Sequence, residues 1–132
     1  MTDTQASDIV EHASPLPFDP TVERLVDAMA KRGLTVFARI DHAANARAVG
    51  AAMPPATVLI YGNAKGGTPI MLVTPQAALD LPLRALVQER ADGRVVVAFH
   101  PIAAMLGRAG VPAEAAERLE PAQRMLIEAL GT

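Results

Sequence analysis

The feature that most constrains this chain is a hairpin. Leu83 to Glu89 and Arg94 to Phe99 are runs rich in β-formers, and Ala91-Asp92-Gly93 lies between them. Asp-Gly between such runs marks a tight reversal, because glycine readily adopts the positive φ that joins two twisted strands. Strands joined in this way run antiparallel, so a wholly parallel sheet is excluded. Upstream, helical and strand patterns alternate. An α+β domain therefore fits the order of elements better than a doubly wound one.

Ile9 to Ala13 predicts a short edge strand, after which Pro15, Pro17 and Pro20 prevent regular pairing. Asp19-Pro20 resembles an N-cap followed by proline at the first helical position. Val22, Leu25, Val26 and Met29 then recur at helical spacing, with Gly33 as the stop. Leu34, Val36, Ala38 and Ile40 alternate with Thr35, Phe37, Arg39 and Asp41, which predicts a half-buried strand. Asp41 is placed to cap an alanine-rich helix from His42 to about Val49. Ala56 to Tyr61 is a continuous apolar run and predicts a buried strand. Gly62-Asn63-Ala64-Lys65-Gly66-Gly67 then predicts a loop, with Thr68-Pro69 opening a short helix to about Thr74. Pro112 starts a last helical stretch, broken or kinked at Pro121.

With 51% hydrophobic residues in 132, the chain can bury a core, and its length fits one domain over 1–132 with a polar leader at 1–7. The formal charge of −2 and only 3% aromatics argue against duplex DNA, stacked single strands and anionic membrane as partners. The first residues lack the basic start and apolar run of a secretory signal, so a cytoplasmic location is expected. Zero cysteines exclude disulfides, thiolate metal sites and cysteine nucleophiles. So apolar a small domain often covers its excess surface with a second copy, and a symmetric homodimer is expected.

Two constellations carry chemistry. Asn63, Lys65, Gly66, Gly67 and Thr68 bring glycines, a cation and a helix start to one point, a composition suited to a small anionic ligand. Equally, such glycines serve close packing in a tight turn. The Gly62–Gly67 spacing mimics a phosphate-binding loop, but Thr68 stands where that motif requires lysine, which argues against a nucleotide triphosphatase. Asp41-His42 offers a second possibility, with His42 as general base and Asp41 as its orienter; the alternative has Asp41 capping the helix and His42 in its first turn. His12, His42 and His100 show no metal-ligand spacing, so neither a metal site nor any cofactor is expected. With no complete set of nucleophile, base and charge stabiliser, a binding module is favoured over an enzyme.

TVERLVDAMAKRGLTVFARIDHAANARAVG, LIYGNAKGGTPIM and ALDLPLRALV, in this order, resemble the domain of unknown function 302 family, over about Ser14 to Arg108. The resemblance implies a curved, mainly antiparallel sheet packed against helices, similar to the TATA-binding-protein-like topology, and homodimers. It implies no reaction. Asp41, His42, Gly62, Asn63, Lys65, Thr68, Met71, Asp80 and Pro82 match its motif positions. Ala64 stands where the family usually has proline, and His100 where it tends towards asparagine.

Overall fold

The computed structural model describes residues 8–131. The expected leader at 1–7 lies outside them. One five-stranded sheet has the order β1-β5-β4-β3-β2, with strands β1 (Val10–Ala13), β2 (Thr35–Asp41), β3 (Ala56–Gly62), β4 (Leu83–Glu89) and β5 (Val95–Phe99). Every neighbouring pair is antiparallel. The β4–β5 hairpin turns at Gly93, whose φ is +88°. The α+β expectation holds, and β1 lies at an edge as its short apolar pattern suggested.

Six α-helices are present among the described residues, α1 (Phe18–Lys31), α2 (His42–Ala48), α3 (Ala64–Val73), α4 (Ile102–Arg108), α5 (Ala113–Ala116) and α6 (Glu120–Glu128), with short 3-10 turns at Pro75–Leu79 and Glu117–Leu119. None is long and apolar enough to cross a membrane. Helix α1 begins one residue before Asp19, at Phe18, and no side chain caps it. Its stop is as expected, with Gly33 at φ +72°. Pro121 falls in the first turn of α6, where its missing N–H removes no helical bond, so it begins a helix and breaks none.

Leu25 and Met29 of α1 meet Leu59, Ala85, Val87 and Val97 of the sheet, and Leu106 and Leu126 close the same core. The final helices spend their apolar side chains here: Met125, Leu126 and Leu130 are buried within the chain. Gln123, buried on α6, ties that helix to the end of β5. Its Nε2 donates to the His100 carbonyl at 2.8 Å, and its Oε1 accepts from the Ile102 N–H at 3.1 Å. The second contact satisfies a first-turn donor of α4 that has no partner within its own helix.

Strand β2 departs from expectation. Apart from half-buried Val36 it is exposed along its whole length. The register shifts between Val36 and Ala38, so Phe37 is an extra residue in the ladder. Val36 faces Tyr61 on the core side, whereas Ala38 and Ile40 pair with Ile60 and Val58 on the opposite face. A bulge reverses the parity of every later side chain, which is why simple alternation misassigned this strand. That opposite face, where Val58 and Leu86 lie, carries a groove of about 210 Å³ that Ile9 and Met105 also line. Beside it Asp8 accepts from Arg108 at 2.6 Å and meets His100 Nδ1 at 2.7 Å. The Arg108 bond, then that of His100, holds its carboxyl below the usual range.

Candidate functional site

Strand β3 ends at Gly62, and the chain turns directly into α3. Asn63 is extended (φ −146°, ψ 120°), and its Oδ1 accepts the Lys65 N–H at 2.7 Å. Its carbonyl accepts from both Gly66 and Gly67 at 3.0 Å. The predicted loop is thus the opening of the helix itself. Thr68 is its fifth residue and not its cap, and Pro69 lies inside the helix. Both Asn63 and Thr68 are cap-forming residue types, and proline at 69 pointed to the later start. The asparagine prevails because it pairs the first free N–H groups while β3 remains intact up to Gly62.

The two glycines have different surroundings. A Cβ on Gly66 would lie 3.2 Å from Leu119 Cδ2, so this glycine lets α3 approach the turn before α6. A Cβ on Gly67 would meet Leu81 Cδ1 and Met71 Cε at 3.8 Å, an ordinary contact distance. Gly67 faces a groove of about 180 Å³. Leu34, Phe37, Met71, Leu81, Leu83 and Leu119 give it a mainly apolar lining. Among the described residues, Asn63 and Thr68 are the only polar ones that line it. Phe37 reaches this site because the bulge sets it apart from the ladder, and it remains 53% exposed.

Of the residues singled out in the sequence, Asn63, Gly67 and Thr68 border this groove. Gly66 packs behind it, and Lys65 is exposed in the first turn of α3 with no ion-pair partner among the described residues. Asn63 Oδ1 is occupied by the Lys65 N–H, so its Nδ2 is left as a donor, and Nδ2 and the Thr68 hydroxyl bond to nothing among the described residues. Phe37, Met71 and Leu81 complete the site. Met71 stood among the motif positions, but nothing in the local pattern of β2 marked Phe37.

Asp41 and His42 lie elsewhere. Asp41 pairs with Thr57 and Thr35 with Gly62, so they occupy opposite ends of β2 and β3, roughly 17 Å apart along the strand. Asp41 Oδ1 accepts the Ala44 N–H at 2.8 Å and caps α2. His42 is exposed in the first turn. The structure therefore does not bring this pair to the anion-binding candidates. No three His, Asp or Glu side chains among the described residues are grouped to hold a metal ion. Tyr61, just before the site, is fully buried and donates to the Ala122 carbonyl at 3.1 Å; burial pushes its phenol above the usual range.

The model of the family described as Domain of unknown function DUF302 matches residues 10–130. A crystal structure of an uncharacterized conserved DUF302 protein from Bacillus stearothermophilus superposes with a TM-score of 0.81 at 15% identity, covering 95% of this chain and 97% of that one. A 75-residue stretch, 57% of this chain, is 40% identical to part of the Fluoride-specific ion channel FluC 1 of Brucella suis biovar 1 (strain 1330). The same identity and length hold for FluC 1 of Brucella abortus biovar 1 (strain 9-941). The matched stretch spans 30% and 28% of those two proteins.

Proposed function

The chain belongs to the DUF302 family, and from that premise we propose that it is a binding module holding a small anionic ligand at the Asn63–Thr68 end of the α3 groove. The observation that carries this reading is the orientation of Asn63. With Oδ1 taken by the Lys65 N–H, the Nδ2 donor of this groove-lining residue is left without a partner among the described residues, and a matching ligand group is an acceptor. Lys65 adds an exposed positive charge, without an ion-pair partner among the described residues, on the first turn of α3 outside the groove lining, and the N-terminal end of α3 favours a negative charge. Base catalysis by His42 has less support, because Asp41 is engaged as a cap and the pair lies far from the groove. Thermal shift of the purified chain with acetate, phosphate and fluoride tests the reading. An anion bound here raises Tm with its concentration, and Lys65→Met shrinks that rise while leaving ligand-free stability unchanged. An identical response in wild type and Lys65→Met refutes it.

A second reading rests on the Brucella relatives. They are named fluoride-specific channels and contain a stretch similar to this chain, so here the anion is fluoride and the module serves beside such a channel. Stabilisation by sodium fluoride beyond that by sodium chloride at equal ionic strength supports it; equal effects refute it. The chain is also proposed to work as a cytoplasmic homodimer. Supporting the dimer is the sheet face of Val58, Leu86 and Ile40, where apolar side chains face away from the core. Sedimentation showing a monomer at micromolar concentrations would count against it.

A further inference from the structure

We propose that the ligand of the α3 groove carries an apolar body behind its anionic group, in the manner of a monocarboxylate of about six carbons, and that Gly67 sets how large this body is. The proposal rests on the binding reading above and goes further by naming the ligand class. A bare inorganic anion would engage only the polar end of the groove and leave the rest unfilled. Its walls are Leu34, Phe37, Met71, Leu81 and Leu119, and an ion moved into such surroundings loses water without gaining partners. Its volume of about 180 Å³ far exceeds the ~10–15 Å³ that admits one water. Among the described residues, polar side chains line it only at Asn63 and Thr68, close in sequence to Lys65. One amide donor and one hydroxyl, with the exposed Lys65 on the same first turn of α3 outside the lining, suit a single carboxylate; a phosphate dianion calls for more donors. The groove thus has a polar end and an apolar remainder.

Gly67 gives an independent reason. Glycine is unfavourable relative to alanine inside a helix. At Gly66 the nearby Leu119 methyl accounts for it. At Gly67 a Cβ would make only ordinary contacts, so packing gives no reason for its absence, yet that Cβ would project between Leu81 and Met71, where the groove lies. The missing methyl keeps the space open.

The test is calorimetric titration of the full chain with acetate, butyrate, hexanoate and hexanol, using wild type, Gly67→Ala and Lys65→Met. In parallel, the Met71 ε-methyl resonance is followed in the wild-type protein, so the outcome does not depend on any variant. Expected is at least tenfold tighter binding of hexanoate than butyrate, since each buried methylene contributes about fourfold. Hexanoate, but not acetate, shifts the Met71 methyl. Gly67→Ala removes the gain with chain length and retains acetate-level binding. Hexanol binds wild type at least tenfold more weakly than hexanoate, and the gap closes in Lys65→Met. Equal affinity for acetate and hexanoate leaves the anion reading standing and overturns the apolar body. Tight hexanoate binding that spares the Met71 methyl, or is unchanged by Gly67→Ala, also overturns it. Hexanoate and hexanol binding equally to wild type, with the Met71 methyl shifted, keeps the apolar body and overturns the anion reading. No binding of any of the four overturns both.

Discussion

Replacing Gly67 by alanine stabilises the protein, although glycine stands there naturally. The position lies within α3, its φ is not in the left-handed region, and the added Cβ meets Leu81 and Met71 at 3.8 Å without strain. Alanine is favoured over glycine in a helix interior by about 0.8–1 kcal/mol. Gly67 is half-buried, so part of the ~0.8 kcal/mol for a buried methyl group adds to this. The sum is about 1 kcal/mol, which for a domain of this length raises Tm by about 3–4 °C. Gly66→Ala supplies the control. It gains the same helix propensity, but its Cβ falls 3.2 Å from Leu119 Cδ2 in a packed part of the core, and overpacking typically costs about 1–3 kcal/mol. Urea denaturation of both variants at one pH, with unchanged m-values, measures the difference. Gly67→Ala should be the more stable of the two by about 1 kcal/mol or more. A loss of stability in Gly67→Ala, or equal values for the pair, would refute the assignment of packing to one glycine and open space to the other.

Asn63→Ala and Asp41→Ala each remove a helix cap and are expected to cost about 0.5–2 kcal/mol in chemical denaturation; a cost near zero for Asn63→Ala would mean that α3 starts elsewhere. Gln123→Leu leaves the His100 carbonyl and the Ile102 N–H without their partner, with an expected loss of about 2–4 kcal/mol in the same assay. Tyr61 is the sole tyrosine and there is no tryptophan, so absorbance near 295 nm follows its phenol alone. Ionisation in the folded protein is expected above the ordinary value of about 10, because burial disfavours the charged form. The unfolded chain then loses that proton first, so stability falls as pH rises past about 10; a phenol titrating at its ordinary value with the fold intact would contradict this.

Local chemistry determined much of this protein before any tertiary contact was considered. The turn at Asp92-Gly93, the stop at Gly33 and the cap at Asp41 each depend on one residue and its immediate backbone, so the sequence shows them directly. The antiparallel β4–β5 pair follows from the first of these. The start of α3 was less legible, because Asn63 and Thr68 are both competent caps and only the extent of β3 chooses between them. What the tertiary structure alone decided is what comes together. The Phe37 bulge exists in the pairing of β2 with β3, and no pattern within β2 encodes it. The same pairing sets Asp41 and Asn63 at opposite ends of two strands, although each follows a strand and caps a helix. Gly66 and Gly67, neighbours of one residue type, differ only because a helical step of about 100° turns one towards Leu119 and the other towards the groove. Sequence records which conformations each residue permits; the partners they meet depend on contacts between segments far apart in the chain.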